Sequence, residues 1–299
     1  MGDGTDDRII LKAGALEAAL SPALGGALLH FCADGTDLLR RTPPDATDPL
    51  AMACFPLVPY ANRIAHGRFA FDGAEHRLPL NFGDHPHSIH GFGWQAKWTA
   101  KETAATHVTL IHDHDGGMGW DWRYRAEQHV ALTRSQLSIS LSLWNRSDRP
   151  MPAGLGFHPY FAADDATRLD FVARGVWLST PDMLPDREAP ADALRDWSKS
   201  APILGESLID NSYSGWTGSA TVTRGDGRKL TLRGEGTDWL HVYRPPGEAF
   251  FCLEPVSHMP DAINRGGMRV VAPGDCIAIG MTIAVDKDDE ALSKTAAIA

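Results

Sequence analysis

Residues 129–144 read HVALTRSQLSISLSLW, and along most of this stretch apolar side chains alternate with polar ones. The alternating apolar side chains are Val130, Leu132, Leu137, Ile139, Leu141 and Leu143. Alternation with a period of two residues is typical of antiparallel β-strands that bury one face and expose the other. The stretch therefore predicts half-buried antiparallel strands and favours an all-β fold.

The same signals recur towards the C-terminus. Residues 222–224 and 229–232 flank the sequence Gly-Asp-Gly at 225–227, which predicts a hairpin. From 277 to 285, Ile, Met or Val stands at every second position among mostly small residues. This pattern predicts a late strand in the core.

Helical periodicity is scarce. Its best candidate, one or two turns at 192–197, lies in the Pro- and charge-containing segment 185–200, which we interpret as a long surface connection. The 29 glycines and 20 prolines are spread along the chain and divide it into short elements. We therefore predict one large antiparallel all-β domain over residues 9–286, with few short helices and with flexible termini at 1–8 and 287–299.

Composition argues against several classes of protein. The 299 residues are 43% hydrophobic, enough for a large core, and carry 38 acidic side chains against 28 Lys and Arg, a formal net charge of −10. This balance argues against nucleic acid and an anionic membrane surface as partners, because both favour a basic face. The longest apolar run, 276–285, is about ten residues, whereas a membrane-spanning helix needs roughly 20.

The cysteines and the N-terminus indicate a compartment. Cys32, Cys54, Cys252 and Cys276 are widely spaced and form no C-x-x-C pair, so they do not predict a disulfide scaffold. The N-terminal sequence MGDGTDDR is acidic and lacks the apolar region of a signal peptide. We therefore expect a cytoplasmic protein.

Two kinds of motif are present but incomplete. Residues 91–96 match G-x-G-x-x-A, but no βαβ helix is predicted to follow them, which argues against a dinucleotide site. Histidines cluster at 85–90 and again at His112 and His114, and imidazole is a common metal ligand. No downstream Cys or His completes a metal-site spacing, so we expect neither a metal nor a cofactor. We interpret His112 and His114 as a solvated strand end or turn.

Four polar clusters stand out, at residues 59–69, 89–98, 156–161 and 252–264. Each places an ionisable group among aromatic residues, Gly and Pro. Aromatic faces pack on the C–H face of a pyranose, fixed polar groups hold its hydroxyls, and Gly permits close approach of the backbone. The clusters therefore favour a sugar site.

At these clusters the chain resembles the aldose 1-epimerase, or galactose mutarotase, family. The family pattern N-R-I-x-x-G-x-F is met in full at 62–69, and the His-Gly and H-x-Y-F elements correspond to 90–91 and 158–161. The family's late Glu, followed by Pro-Asp-Ala, corresponds to Glu254 with 260–262, and its sugar-holding Asp corresponds to Asp210. The elements follow one another in the family's order from about residue 9 to 285.

The resemblance implies a large antiparallel β-sandwich of the galactose mutarotase-like type. It also implies an isomerase that interconverts the α- and β-anomers of a free aldose. In this family Glu254 would be the general base for the C1 hydroxyl, and His158 would be the general acid for the ring oxygen. Arg63, His90 and Asp210 would bind the ring oxygen and the hydroxyls.

Further side chains are candidates for supporting roles. Asn62 is a substrate-binding candidate, with a turn or scaffold role as the alternative. His87 and His258 are candidates for side chains that support the ligand-binding ones. Trp94 and Trp216 fit the core better than a platform on which a sugar stacks.

The identity of the sugar stays open at this point. The chain reads His-Gly-Phe at 90–92, where many family members read His-Gly-Gly. The segment 181–206 and His258 are where specificity would be sought. The expected partner is a small sugar, bound by a monomer or a homodimer.

Three alternatives remain. A hexose-6-phosphate 1-epimerase needs several cations at the phosphate, and Arg63 and Arg68 are available. A non-catalytic sugar-binding protein or sensor needs no acid–base pair. A glycosidase needs two carboxylates, for which Asp210 and Glu254 are candidates, and leaves His158 without a role.

Overall fold

A computed structural model describes residues 7–286 of the chain. The termini expected to be flexible, 1–8 and 287–299, lie outside the described residues except for Asp7 and Arg8. The carboxylate of Asp7 accepts hydrogen bonds from the Ser21 hydroxyl at 3.0 Å and the Ala23 N–H at 2.9 Å. None of the helices within 7–286 is long and apolar enough to cross a bilayer.

The described residues form 27 β-strands and five short 3-10 helices. The first nine strands are β1 (Ile9–Ala13), β2 (Leu16–Ser21), β3 (Ala27–Ala33), β4 (Thr36–Asp37), β5 (Pro56–Leu57), β6 (Arg63–Ile64), β7 (Arg68–Phe71), β8 (Ala74–Arg77) and β9 (Ser88–Ile89). The next nine are β10 (Thr99–Thr103), β11 (His107–His114), β12 (Tyr124–Leu132), β13 (Gln136–Asn145), β14 (Met151–Ala153), β15 (Gly156–Phe157), β16 (Tyr160–Ala162), β17 (Arg168–Phe171) and β18 (Gly175–Ser179). The last nine are β19 (Pro185–Pro190), β20 (Ala201–Pro202), β21 (Ile209–Ser214), β22 (Ser219–Thr223), β23 (Lys229–Glu235), β24 (Trp239–Arg244), β25 (Phe250–Val256), β26 (Arg269–Val271) and β27 (Cys276–Asp286). The 3-10 helices are Pro49–Ala51, Ala65–Gly67, Gly93–Gln95, Trp197–Lys199 and Ala262–Arg265.

Two large sheets dominate the architecture. One has nine strands in the order β10-β11-β12-β13-β27-β23-β22-β17-β20, and the other has eight in the order β19-β18-β21-β24-β25-β15-β5 with β16 added on β25. A four-stranded meander, β1 to β4, accompanies them. Every pairing between these strands within 7–286 is antiparallel.

The alternating stretch 129–144 forms the end of β12 and most of β13. The two strands pair as a hairpin whose last register pair is Leu132 with Leu137. The six alternating apolar side chains of this stretch are all buried. The prediction of half-buried antiparallel strands is confirmed, because the period of two places every one of these side chains on one face.

Other strand predictions are confirmed as well. The hairpin around 225–227 joins β22 to β23, with Thr223 paired to Lys229. The late strand is β27, in which Ile279, Met281 and Ile283 are buried. It lies between β13 and β23 in the nine-stranded sheet.

The interpretation of 185–200 as a surface connection is wrong for its first part. Pro185–Pro190 is an edge strand that pairs with β18. Residues 186–188 are charged and exposed, so the strand has no apolar alternation by which the sequence could have revealed it. The helical candidate at 192–197 is not a helix, and a short 3-10 helix follows it at Trp197–Lys199. Trp197 is buried and donates its indole N–H to the Tyr213 hydroxyl at 2.8 Å.

The interpretation of His112 and His114 as a solvated strand end or turn is wrong for His112, which lies within β11 and is 8% exposed. His114 is the last residue of β11, as a strand end requires, and is partly buried. The His112 ring contacts Trp98, and the His114 ring stacks on Phe92 with 5.1 Å between centroids. Burial lowers the pKa of His112 to about 4, so its imidazole is neutral at physiological pH.

The core lies between the two large sheets. Buried Leu240 and Val242 of β24 belong to the same hydrophobic cluster as Leu230 and Leu232 of β23. A face of each sheet is therefore covered by the other, which confirms the predicted antiparallel β-sandwich. Trp94 and Trp216 are buried, as expected for core residues, at 1% and 6% exposed.

Candidate functional site

The site is built on the face of the eight-stranded sheet that turns away from the core. Along β24, Leu240 and Val242 point into the core, so His241 and Tyr243 point to the opposite face. On the neighbouring strand β25, His241 pairs in register with Glu254. The alternation that directs Leu240 and Val242 into the core therefore also places His241 beside Glu254 on the opposite face of the sheet.

A cavity of about 390 Å³ lies over this face, and all six predicted site residues line it. These residues are Asn62, Arg63, His90, His158, Asp210 and Glu254. The other lining residues are Arg40, Leu50, Phe82, His85, Ile89, Tyr160, Met183, Leu208, His241, Tyr243 and Phe250. The volume is in the range of small-molecule sites, and aromatic rings line it together with a few polar groups.

Glu254 and His158 form a buried pair at the cavity. Nε2 of His158 lies 3.4 Å from Oε1 of Glu254, although the two residues are 96 positions apart. Within 7–286, Oε2 of Glu254 and Nδ1 of His158 have no hydrogen-bond partner. Burial raises the pKa of Glu254 to about 7 and lowers the pKa of His158 to about 3, because each charged form loses its hydration.

Asp210 is held in an ionic network of its own. Its carboxylate accepts bonds from both terminal nitrogens of Arg63, at 3.3 Å and 2.8 Å, and contacts His241 Nε2 at 2.7 Å. Burial alone would raise the pKa of Asp210, but the charges of Arg63 and His241 outweigh it and hold the pKa well below its ordinary value. Asp210 is therefore ionised throughout the physiological range and cannot supply a proton.

Asn62 and His90 reach the cavity from two short loops, both in a left-handed conformation, with φ of 56° and 62°. The Asn62 N–H donates to Nδ1 of His90 at 3.1 Å, and burial, reinforced by the nearby His158 and Arg63, keeps the pKa of His90 well below its usual value. A neutral imidazole that accepts at Nδ1 carries its proton on Nε2, so His90 offers one donor to a ligand. A Cβ at Gly91 would lie 2.2 Å from the Val58 carbonyl oxygen, which explains the glycine after His90.

The Pro-Asp-Ala element and His258 support this loop. The Asp261 carboxylate accepts the Ala65 N–H at 3.0 Å, and its own N–H donates to the Arg63 carbonyl. His258 accepts the Ala61 N–H at 3.2 Å. Neither Asp261 nor His258 lines the cavity, so their contacts position residues 61–65 instead.

His241 is the main site residue that the sequence did not reveal. Besides Asp210 it contacts the Ser212 hydroxyl at 2.8 Å, so both ring nitrogens are engaged. His241 lies in a strand with ordinary alternation. The one feature of the sequence that could have indicated a site there is a histidine on the face of β24 opposite to Leu240 and Val242. Arg40 and Tyr160 were also missed as lining residues, although Tyr160 belongs to the H-x-Y-F element.

The rim of the cavity joins two distant segments. Met183 lies in the segment expected to set specificity, 181–206, and lines the cavity, as does His85. Buried His87 connects the two segments, because its Nε2–H faces the Asp182 carbonyl at 3.0 Å while its Nδ1 accepts the His66 N–H at 3.1 Å. His87 therefore lies where it can position these two rim segments.

Two groups near the cavity have metal-ligand chemistry. Ligand atoms of His158, Cys252 and Glu254 lie within 4.8 Å of one another. The same holds for His66, His87 and Asp182, although both nitrogens of that His87 already have partners. Of the metal cluster considered at 85–90, only His87 belongs to such a group within residues 7–286.

Comparison with known proteins identifies the family to which this chain belongs. The family model for aldose 1-epimerase matches residues 7–283. The chain belongs to the aldose 1-epimerase family. An uncharacterised protein of Escherichia coli K12, YphB, is 32% identical over 281 residues, which cover 88% of this chain and 93% of YphB.

Solved structures agree with this family assignment. The structure of an Escherichia coli K12 protein, provisionally assigned as an aldose 1-epimerase, superposes with a TM-score of 0.86 at 30% identity, covering 93% of this chain and 98% of that one. A galactose mutarotase-like protein from Clostridium acetobutylicum gives a TM-score of 0.83 at 18% identity, covering 94% and 95%. The second likeness is one of fold.

The geometry permits proton transfer at two neighbouring atoms of one ligand. A buried carboxyl and a buried imidazole lie side by side, and a carboxylate with its arginine and His90 lie across the same cavity. The carboxyl titrates near neutrality, where a general acid or base is most effective. The site thus has the groups for acid–base chemistry on a polyhydroxylated ligand.

Proposed function

We propose that the protein is an aldose 1-epimerase, an isomerase that interconverts the α- and β-anomers of a free aldose. The observation that carries this proposal is the 3.4 Å contact between His158 Nε2 and Glu254 Oε1 within a cavity of sugar size. Membership of the aldose 1-epimerase family supports the same reaction.

In the proposed reaction Glu254 takes the proton of the C1 hydroxyl while His158 gives a proton to the ring oxygen. The electron pair of the C1 oxygen forms the carbonyl, and the bond between C1 and the ring oxygen breaks. The aldehyde end then rotates about the bond between C1 and C2. Closure on the opposite face of the carbonyl returns both protons and gives the other anomer.

The remaining polar groups hold the sugar in this scheme. Nε2–H of His90 donates to a ring or hydroxyl oxygen, and the carboxylate of Asp210 accepts from hydroxyls. Arg63 keeps Asp210 ionised and oriented, and its Nη1 also bonds the Asn62 side chain at 3.1 Å. Asn62 then helps to fix the arginine fork beside the sugar.

The chemistry accounts for a useful rate without electron or group transfer, so the scheme uses no cofactor. A positioned acid or base typically contributes about 10²–10⁴ in rate. A pair can therefore contribute on the order of 10⁴–10⁸, which corresponds to roughly 5–11 kcal/mol of activation free energy.

The site favours this reaction over glycoside hydrolysis or simple sugar binding. A glycosidase needs two carboxyl groups, of which one is a proton donor. Asp210 is already engaged by Arg63 and His241, and a glycosidase that used Asp210 and Glu254 would leave His158, which contacts Glu254, without a role. A binding protein gains nothing from burying a carboxyl group beside an imidazole, because burial of such groups is costly.

The decisive measurement is anomer exchange followed by NMR on a panel of free aldoses. Wild-type protein should accelerate exchange, and Glu254→Gln, which keeps the shape but cannot take the proton, should lose at least about 10² of the acceleration. Glu235→Gln, an exposed substitution on β23 of the other sheet, is the matched control and should keep it. Full activity in Glu254→Gln would refute the base assignment, and binding without exchange would refute the epimerase.

A further inference from the structure

Arg40 is a fixed cation at the cavity wall. Its guanidinium carbon lies 3.8 Å from the ring centroid of Tyr160 and 4.5 Å from that of Phe250. Nη2 donates to the carbonyl oxygens of Leu50 at 2.5 Å and Met52 at 3.0 Å. Two aromatic faces and two carbonyls therefore hold the guanidinium in one orientation before any ligand arrives.

Among residues 7–286, no acidic side chain pairs with this cation. No carboxylate oxygen there lies within 4.0 Å of an Arg40 side-chain nitrogen, whereas Arg63 of the same cavity is paired with Asp210 at 2.8 Å. Nη1 of Arg40 makes no hydrogen bond in this part of the chain. Unlike Nε, it is not among the buried unpartnered atoms. Its two N–H donors are thus accessible to an acceptor in the cavity.

Arg40 is connected to the proposed general acid His158 through the ring of Tyr160. The Tyr160 ring stacks on the His158 ring with 4.7 Å between centroids, and Arg40 lies against that same tyrosine. The Arg40 N–H also donates to the Tyr160 carbonyl at 2.7 Å. In the proposed reaction His158 faces the ring oxygen and Glu254 faces C1, on one side of that oxygen. C5, which carries C6, is bonded to the ring oxygen on its other side, so a group on C6 is the part of the sugar that we place beside Arg40.

We propose that Arg40 is a specificity-determining residue that binds an anionic group on C6 of the aldose, a carboxylate or a phosphate. This inference rests on the proposed epimerase activity and names its substrate class. An arginine binds either anion through charge-assisted hydrogen bonds, which are stronger than those to neutral hydroxyls. Anchored by its aromatic and carbonyl contacts, Arg40 loses little conformational freedom on binding.

The competing role is that of a clamp, since Arg40 ties the 3-10 helix Pro49–Ala51 to the sheet through Leu50 and Met52. A clamp acts on every substrate alike, whereas an anion site discriminates between them. The test therefore compares substrates that share a ring configuration and differ at C6. The pairs are galactose with galacturonate, glucose with glucuronate, and glucose with glucose 6-phosphate.

Wild-type protein should show a higher kcat/KM for anomer exchange of an anionic sugar than of its neutral counterpart. The uronate and phosphate arms tell which anion is preferred. Arg40→Met, which keeps the flexible apolar stem, should lower the ratio of anionic to neutral kcat/KM by roughly 10- to 100-fold. Arg40→Lys should retain part of the ratio. Arg41→Met removes the neighbouring arginine, which is half exposed and pairs with Asp37, and should leave the ratio unchanged.

Failure of this proposal is distinguishable from failure of the epimerase. Wild-type protein that exchanges neutral sugars faster than anionic ones overturns the anion site and leaves the epimerase intact. If Arg40→Met lowers kcat/KM equally for anionic and neutral sugars, Arg40 is a clamp, and the anion site is overturned. Exchange of no sugar at all overturns the epimerase. The wild-type ratio decides the matter even where Arg40→Met does not fold.

Discussion

Within residues 7–286 the Glu254 carboxyl group has one ion-pair contact, with the imidazole of His158 at 3.4 Å, and its Oε2 has no hydrogen-bond partner. Burial raises the pKa of the Glu254 carboxyl group to about 7 and lowers the pKa of the His158 imidazole to about 3. Between these values the pair holds one proton. The proposed reaction needs Glu254 ionised and His158 protonated, which is also one proton on the pair. The contact between the two side chains lets that proton move from Glu254 to His158.

This proton count predicts the pH dependence of kcat/KM for anomer exchange. Above pH about 7 the pair loses its proton, leaving a base without an acid, so kcat/KM should fall about tenfold per pH unit. The same holds if the two residues exchange roles, because the total is still one proton. Exchange rates from pH 4 to 9, corrected for the rate without protein, measure this. A rate that rises steadily to pH 9 would show that ionised Glu254 is sufficient and that His158 supplies no proton.

At the scale of elements, the sheet supplies the floor of the site and the loops supply its rim. Asp210, His241 and Glu254 come from three adjacent strands, β21, β24 and β25, and their spacing is fixed by the ladder. The rim segments around His85 and Met183 have no ladder, and His87 is the side chain that joins them. Rigid strands thus hold the proposed chemistry, while one histidine positions the rim.

His87→Ala should therefore weaken substrate binding more than it slows the reaction. We expect KM for the best aldose to rise about tenfold or more, with a smaller fall in kcat, because Glu254 on β25 and His158 between β15 and β16 do not belong to the rim segments that His87 joins. His87→Gln, which can still bond Asp182, should recover part of the loss. His107→Ala, on β11 of the other sheet, is the control. A fall in kcat alone would contradict a rim-positioning role for His87.

At the scale of the whole molecule, the wall of the cavity is also the wall of the core. His241 lies on one face of β24. Leu240 and Val242 lie on the opposite face and pack in the hydrophobic cluster shared with the nine-stranded sheet. Any loosening of the sandwich therefore moves the site, since interiors are close-packed. Stability and activity should respond together.

Leu232→Ala tests this coupling and the expectation of a single domain over 9–286. Leu232 is fully buried between the sheets, so its truncation should lower the free energy of unfolding by about 2–5 kcal/mol. Loss of activity, circular dichroism and tryptophan fluorescence should share one midpoint in urea. Val270→Ala, at a position 59% exposed, should change the free energy by less than about 0.5 kcal/mol. Separate midpoints for activity and circular dichroism would contradict a single cooperative unit.

The sequence by itself predicted the all-β fold from a few alternating strands, and its resemblance to the family named six of the residues that line the cavity. The alternation at 129–144 and 277–285 is a local property, because a strand turns every second side chain to the same face. The motifs at 62–69, 90–91 and 158–161 named residues that do line one cavity. The edge strand Pro185–Pro190 escaped because a strand with a solvated edge needs no apolar alternation.

Only the tertiary structure decided which groups meet and what charge they carry. His241 is part of the site because β24 lies between β21 and β25, a neighbourhood that no sequence spacing encodes. The pKa of Glu254 depends on burial by residues far away in the chain, and Arg40 is held by aromatic rings and carbonyls with no carboxylate partner within residues 7–286. Pairing and desolvation are relations between distant residues, so they exist only once the chain has folded.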